Sequence, residues 1–303
     1  MDDLSRSIDA VRHNLPKAFF RLDEPLKNYT TFKIGGSVRA MFYPEEIECL
    51  AEMCNILREC EITPFIMGNG SNVLASDKKL DIIVINTTRI NGIQMTGEME
   101  IKVEAGAVLS KAAMFACEHG LTGLEFAHGI PGTIGGAVVM NAGAYGGEMK
   151  DVVYDTTAYN AEKGIFAVVG EQHELSYRHS RFSNTSDVIL SSVVRLQRDE
   201  KKAIKQRMEE LNNRRHQSQP LDQPSAGSTF KRPKEGYAAA LIEQAGLKGY
   251  MVGGAAVSEK HAGFIVNRGD ATFTDVLAVV DHVQEVVLKQ FGVQLELEVK
   301  VLS

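Results

Sequence analysis

Four segments of the 303-residue chain carry residue types whose spacing suits chemistry. The first, Gly68-Asn69-Gly70-Ser71-Asn72, follows a short apolar run, Pro64-Phe65-Ile66-Met67. Its glycines lack Cβ atoms, so backbone N–H groups can approach a phosphate, and Ser71 and Asn72 add side-chain donors. It has no P-loop lysine, and Val73 stands where a dinucleotide fingerprint carries a third glycine, so neither standard nucleotide motif is matched. An ordinary turn is the alternative. The second segment runs from Gly129-Ile130-Pro131-Gly132-Thr133-Ile134-Gly135-Gly136-Ala137 through Asn141-Ala142-Gly143-Ala144-Tyr145-Gly146-Gly147. It holds seven glycines in 19 residues, where an average usage of roughly 7% gives fewer than two. Backbone this bare can lie flat against a large planar ligand or its diphosphate, at a cost in chain entropy. A set of tight turns between short strands is the alternative.

The third segment is Tyr177-Arg178-His179-Ser180 and the fourth is Gly227-Ser228-Thr229-Phe230-Lys231-Arg232-Pro233. Arginine offers a planar fork to a carboxylate, and a serine beside Lys231 and Arg232 suits proton donation or anion binding. A surface ion pair for Arg178 and a plain turn for Ser228 are the bland readings. Glu298 shares a strand face with Glu296, and by base rate both face water. His119, His128, His261 and His282 lack metal-ligand spacing, so no metal site is expected. Cys49, Cys54, Cys60 and Cys117 form no C-x-x-C pair and read as free thiols of a reducing cytoplasm.

The elements that must position these residues follow from periodicity. Val38, Ala40 and Phe42 alternate as a strand, and Ile47, Leu50, Ala51, Cys54 and Leu57 recur at helical spacing. Strands are expected at 64–67 and 82–85, then a second α/β unit with a strand at 101–105 and a helix from Leu109 to His119 closed by Gly120. A polar helix is expected over Asp199 to Arg215. The proline-punctuated stretch Gln217 to Pro224 reads as a linker. Beyond it come a short helix at Tyr237 to Ala245 and a long amphipathic one carrying Val276, Val279, Val280, Val283, Val286, Val287 and Phe291, stopped by Gly292. Alternation of Val293, Leu295, Leu297, Val299 and Val301 predicts a closing strand. Apolar residues at 44% and charged residues at 24% describe a folded globular protein. The balance of 33 basic against 39 acidic residues, −6 net, argues against a nucleic-acid binder. No apolar stretch reaches the roughly 18 residues of a membrane span, and Met1-Asp2-Asp3-Leu4 does not resemble a secretory signal, so a cytoplasmic protein without membrane insertion is expected.

In order and together, these segments resemble the UDP-N-acetylenolpyruvoylglucosamine reductase family, flavoenzymes that complete UDP-N-acetylmuramate for bacterial peptidoglycan. The resemblance runs from Asn28-Tyr29-Thr30-Thr31-Phe32-Lys33-Ile34-Gly35-Gly36 to Leu295-Glu296-Leu297-Glu298-Val299. It implies an α+β protein: a PCMH-type, vanillyl-alcohol-oxidase-like FAD-binding domain of two α/β subdomains, at 1–97 and 98–216, then an α/β substrate-binding domain at 222–303. By that resemblance Gly68, Asn69, Gly70, Ser71 and Asn72 hold the FAD diphosphate, and Gly129, Pro131, Gly132, Thr133, Gly135, Gly136, Asn141, Gly143 and Ala144 line the flavin. Y-R-x-S makes Arg178 the catalytic arginine, G-S-x-F-K makes Ser228 the proton donor, and the closing L-E-x-E-V selects Glu298. Tyr177, Lys231 and Arg232 are implied in substrate binding, with Arg232 standing where many relatives carry asparagine. The 50-residue step from Arg178 to Ser228 and the short segment before it resemble the family's compact second type.

The resemblance further implies noncovalent FAD, NADPH as co-substrate and UDP-N-acetylglucosamine enolpyruvate as substrate, handled by a monomer. Hydride would pass from flavin N5 to C3 of the enol ether and a proton from Ser228 to C2. An oxidase of the same flavin superfamily and a catalytically silent nucleotide-sugar-binding module are the competing readings. NADPH oxidation that depends on the enolpyruvyl sugar separates the first from the reductase, and yellow colour from bound FAD separates the second.

Overall fold

The computed structural model describes residues 2–303. The chain divides into two units, the first made of Met1–Asp23, Arg39–Asn69 and Asp81–Asn213, the second of Glu24–Val38, Gly70–Leu80 and Arg214–Ser303. The second unit thus takes in two segments, 24–38 and 70–80, that fall within the flavin subdomain expected at 1–97.

The first unit carries helices α1 (Asp3–Asn14), α2 (Ile47–Glu59), α3 (Leu109–Glu118), α4 (Ile134–Val139) and most of α5 (Lys201–Ser218). In α2 the expected spacing buries Leu50, Ala51, Met53, Cys54, Ile56 and Leu57 in one core with Ile83 and Ile85. Each leucine, isoleucine or methionine so buried contributes about 1.5–3 kcal/mol on leaving water. The accompanying sheet has the order Phe19–Pro25, Ser37–Tyr43, Leu80–Asn86, Phe65–Met67, and its last two strands run parallel with Phe65 opposite Val84 and Met67 opposite Asn86. A second, five-stranded sheet is antiparallel, in the order Gly164–Val169, Val153–Asn160, Val188–Arg195, Glu100–Glu104, Ile93–Gly97. Ile101 and Val103 point from it into a core shared with Leu109, Ala112, Ala113 and Ala116 of α3. The helix stops where Gly120 takes φ 68°, a conformation with little cost only for glycine.

The structure differs from expectation at two places. The glycine tract, read as turns or bare ligand-facing backbone, contains α4, which runs through Gly135 and Gly136 before a short hairpin pairing Gly143–Ala144 with Gly147–Glu148. Helix α5 extends to Ser218, consuming the first two residues of the stretch read as linker. Its polar face needs no internal stop, and Pro220 lies beyond its end.

The second unit contains α6 (Ala238–Gln244) and α7 (Phe273–Phe291), with a small antiparallel sheet of Met251–Val252, Ala255–Val257 and Ile265–Asn267. Thr272 and Asp275 form a reciprocal cap at the start of α7, Val276, Val279, Val280, Val283 and Val287 are buried along it, and Gly292 at φ 69° ends it. Phe32, Ile34 and Leu74 join this core, each at most 2% exposed, alongside Ala226, Phe230, Leu295 and Val299. The expected closing strand is shorter than its alternation suggests. Val293, Leu295 and Val299 are buried and Gln294 and Glu296 exposed, yet a regular ladder forms only where Lys300–Leu302 runs parallel to Val73–Ala75, and Val301 is exposed. Upstream, Leu297 meets Phe230 through an isolated bridge. Alternation reports which face is buried, whereas ladder formation needs a regular partner strand.

Candidate active site

In the first unit, residue 68 follows the Phe65–Met67 strand, where Asn86 Nδ2 donates to Gly68 O at 3.4 Å. A Cβ on Gly68 would lie 2.2 Å from Thr133 Oγ1, and Asn69 Nδ2 donates to Pro131 O at 3.0 Å. The two glycine segments, 62 residues apart in sequence, therefore meet. The tract is held in turn by the end of the Glu100–Glu104 strand: Leu109 N donates to Gly132 O at 3.0 Å, Ile134 N to Ala107 O at 2.9 Å and Gly135 N to Ala105 O at 2.9 Å.

Part of the glycine density has a packing cause that the sequence could not display. Cβ atoms would come within 3.1 Å of Ala105 O at Gly135, and within 2.7 Å of Glu148 Cβ at Gly143 and of the Phe126 ring at Gly147. Gly136 differs, because a Cβ there meets only Thr133 Oγ1, at 3.8 Å. Just ahead of the tract, the Nδ1 atom of His128 is buried without a hydrogen-bond partner among the described residues, and burial pushes its pKa down. In the sequence His128 is one of four scattered histidines without metal-ligand spacing. Its place beside Gly129 was the available signal.

Arg178 sits on a tight turn closed by paired hydrogen bonds between Ser176 and His179, both 3.1 Å, with its own φ at 53°. Ser180, fully buried, donates from Oγ to Val139 O at 2.8 Å and so ties the turn to the end of α4. Asn141 Nδ2 donates to Ser176 O at 3.0 Å from the other side. The third residue of Y-R-x-S thus has no structural need for a given side chain, while the fourth is an anchor. Tyr177 is 49% exposed, and the Arg178 guanidinium lies 5.2 Å from its ring centroid.

In the second unit, Thr229 organises the neighbours of Ser228. Its N–H donates to Gly263 O at 2.8 Å, its Oγ1 accepts from Ile265 N at 3.1 Å, and its carbonyl accepts from Glu298 N at 2.8 Å. Ser228 and Glu298 are consequently carried on adjoining backbone segments, and both are half-buried. Glu296 is instead exposed and pairs through Oε2 with Lys231 Nζ at 3.1 Å, so burial separates the two glutamates that alternation left equivalent. Asn72 fastens the same segment: its Nδ2 donates to Glu298 O at 3.2 Å and its carbonyl accepts from Lys300 N at 2.9 Å. The Arg232 guanidinium stacks 3.9 Å from the Tyr237 ring centroid. A cleft of about 780 Å³ bounded by Lys27, Lys33, Asp77, Asn267 and Arg268 includes none of the predicted site residues.

Comparison with known proteins bears on both units. Residues 38–168 match a family model described as FAD binding domain, and residues 219–302 match one described as UDP-N-acetylenolpyruvoylglucosamine reductase, C-terminal domain. A UDP-N-acetylenolpyruvoylglucosamine reductase of Caldanaerobacter subterraneus subsp. tengcongensis is 46% identical over 296 residues, covering 98% of each chain. The chain belongs to the UDP-N-acetylenolpyruvoylglucosamine reductase family. The reductase of Caldicellulosiruptor saccharolyticus is 47% identical over 286 residues, 94% of this chain and 92% of its own. The crystal structure of the reductase from Thermus caldophilus superposes with a TM-score of 0.80 at 34% identity, covering 94% of this chain and 99% of that one. The α+β fold expected from sequence, an FAD-binding domain with the reductase C-terminal domain, is therefore the fold observed. Among the described residues, no helix is long and apolar enough to cross a membrane.

Proposed function

We propose that this protein uses noncovalent FAD and NADPH to reduce UDP-N-acetylglucosamine enolpyruvate to UDP-N-acetylmuramate for peptidoglycan, acting as a cytoplasmic monomer. The observation that carries this proposal is 46% identity, over 98% of both chains, to a UDP-N-acetylenolpyruvoylglucosamine reductase. The residues present suit FAD. Segments 68–72 and 129–136 offer backbone N–H, amide and hydroxyl groups and no carboxylate, the donor set an anionic diphosphate requires. The open side of Gly136 and the unpartnered His128 Nδ1 support a ligand beside the tract. Gly68 to Asn72 would hold the diphosphate, and the tract from Gly129 to Ala144 would line the ring.

Held by segments 68–72 and 129–144, FAD would supply the hydride chemistry that links NADPH to C3 of the enolpyruvyl group. Charge then develops at C2 and the adjoining carboxylate of the substrate. The Arg178 guanidinium binds that carboxylate with its planar fork, and the Glu298 carboxyl orients it, both acting as preorganised electrostatics. Ser228 donates its hydroxyl proton to C2, a transfer that runs downhill because a carbanionic carbon is far more basic than an alkoxide. Tyr177, Lys231 and Arg232 bind the nucleotide sugar, the two cations matching its diphosphate. Stopped-flow spectroscopy of Ser228→Ala tests the assignment. Flavin reduction by NADPH is expected to stay intact while reoxidation by the enolpyruvyl sugar slows about 10²-fold or more. Equal impairment of both half-reactions refutes the role of Ser228.

A further inference from the structure

Asn141 is 1% exposed and lies in the left-handed region at φ 41°. Its side-chain amide is fully committed inside the first unit. Nδ2 donates to Glu148 Oε2 at 2.5 Å and to Ser176 O at 3.0 Å, and Oδ1 accepts from Lys150 N at 2.9 Å. We propose that Asn141 is a positioning residue for Arg178, fixing the direction in which the Ser176–His179 turn presents the guanidinium. The inference deepens the proposed function and rests on the role given there to Arg178.

The paired hydrogen bonds between Ser176 and His179 define the shape of the turn but not its orientation, because both are internal to it. External ties set the orientation, among them one at each end. Ser180 Oγ holds the exit through Val139 O, and Asn141 Nδ2 holds the entry through Ser176 O. The amide is itself held by Lys150 N and by Glu148, whose carboxylate also pairs with Lys150 Nζ. Both Nδ2 protons face acceptors, so aspartate, which matches the shape, would set a carboxylate against the Glu148 carboxylate and a carbonyl. A non-glycine residue kept at positive φ, with every polar atom of its side chain used, is strain retained by its surroundings. The glycine tract and the Y-R-x-S turn thereby move as one piece, and an arginine that must meet a substrate carboxylate tolerates little displacement.

The test uses the FAD-loaded full chain with Asn141→Asp, which keeps the shape and the bond from Lys150 N, and Asn141→Ala. Reoxidation of reduced flavin by the enolpyruvyl sugar is expected to slow about 10- to 100-fold, the scale of a displacement near 1 Å. Reduction by NADPH is expected to slow by a clearly smaller factor than reoxidation, since Arg178 meets the sugar substrate. In an Arg178→Ala background the same substitutions should slow reoxidation by less than about 3-fold more, because residues acting as a unit are not additive. Independently of activity, hydrogen exchange of the segment 174–183 in the FAD-free Asn141→Asp protein should quicken relative to the parent. Equal slowing of both half-reactions, full additivity with Arg178→Ala, or unchanged exchange overturns the proposal. If Arg178→Ala itself leaves reoxidation unchanged, the functional assignment of Arg178 fails. If Arg178→Ala slows it and Asn141→Asp does not, only the positioning role fails.

Discussion

Replacing Gly68 by alanine puts a methyl group where the structure has no room. The added Cβ would sit 2.2 Å from Thr133 Oγ1 and 3.0 Å from its Cγ2, where ordinary contact begins at 3.4 Å, so one side must retreat by about 1.2 Å at the closest pair. Thr133 cannot easily yield. It is 2% exposed, bridges Val108, and through its carbonyl accepts from Ala137 N at 2.9 Å. The loop must move instead, loosening the hydrogen bond from Asn69 to Pro131. Overpacking of this kind costs about 1–3 kcal/mol, which corresponds to roughly 5- to 150-fold in affinity if the bound loop bears it all. The assay is FAD titration of the apoprotein by flavin fluorescence, with urea unfolding of the same sample to catch any cost borne by the fold. Thr133→Ala deletes both clashing atoms, leaving the old Cβ at 3.2 Å. Combined with Gly68→Ala it should recover most of the loss relative to Thr133→Ala alone. A Gly68→Ala protein with parental affinity and stability, or a double variant no better than the single one, refutes the contact as the reason for glycine at 68.

Gly136→Ala should separate packing from ligand in the same tract. With open space around it on α4, alanine is expected to stabilise the apoprotein by about 0.5–1 kcal/mol, seen as a higher urea midpoint, while weakening FAD binding. Unchanged FAD affinity would remove Gly136 from the flavin lining. Acid should destabilise the protein through its buried histidines. Burial lowers the pKa of His173, His261 and His128 below 6.5, so the unfolded chain binds more protons just below that value. Their contribution is complete above about pH 6.5 and is lost as the pH falls. The urea midpoint should therefore be lower at pH 5.5 than at 7.5, and His173→Gln should flatten part of that difference; a midpoint independent of pH contradicts it. The partners set the tautomer of His173: Nδ1 faces Gly170 O at 2.8 Å and must carry the proton, which leaves Nε2 to accept from Thr156 Oγ1 at 2.9 Å.

Periodicity made α2, α3 and α7 legible because each buries one stripe against a core and ends on a local signal, as Gly120 and Gly292 illustrate. It could not show α4, since two glycines in six residues carry no helical preference and the helix is held instead by backbone bonds to Ala105 and Ala107. For the site, motif order singled out Arg178, Ser228 and Glu298, while composition alone left the glycine tract between a bound ligand and a set of tight turns. Contacts of Gly135, Gly143 and Gly147 with Ala105, Glu148 and Phe126 show that bare backbone was also needed for close approach. The commitment of Asn141 to Ser176, and of Asn72 to Glu298, is invisible to any local pattern because the partners lie 35 and 226 residues away.

That separation has a consequence for how the chain is made. Val73–Ala75 finds its parallel partner at Lys300–Leu302, and Phe32, Ile34 and Leu74 find their core among residues beyond 225. On a ribosome adding about 5–20 residues per second, these apolar side chains wait tens of seconds for neighbours that have not yet been synthesised. Throughout that interval they are the natural target of a nascent-chain chaperone and the first place where premature termination would leave sticky surface.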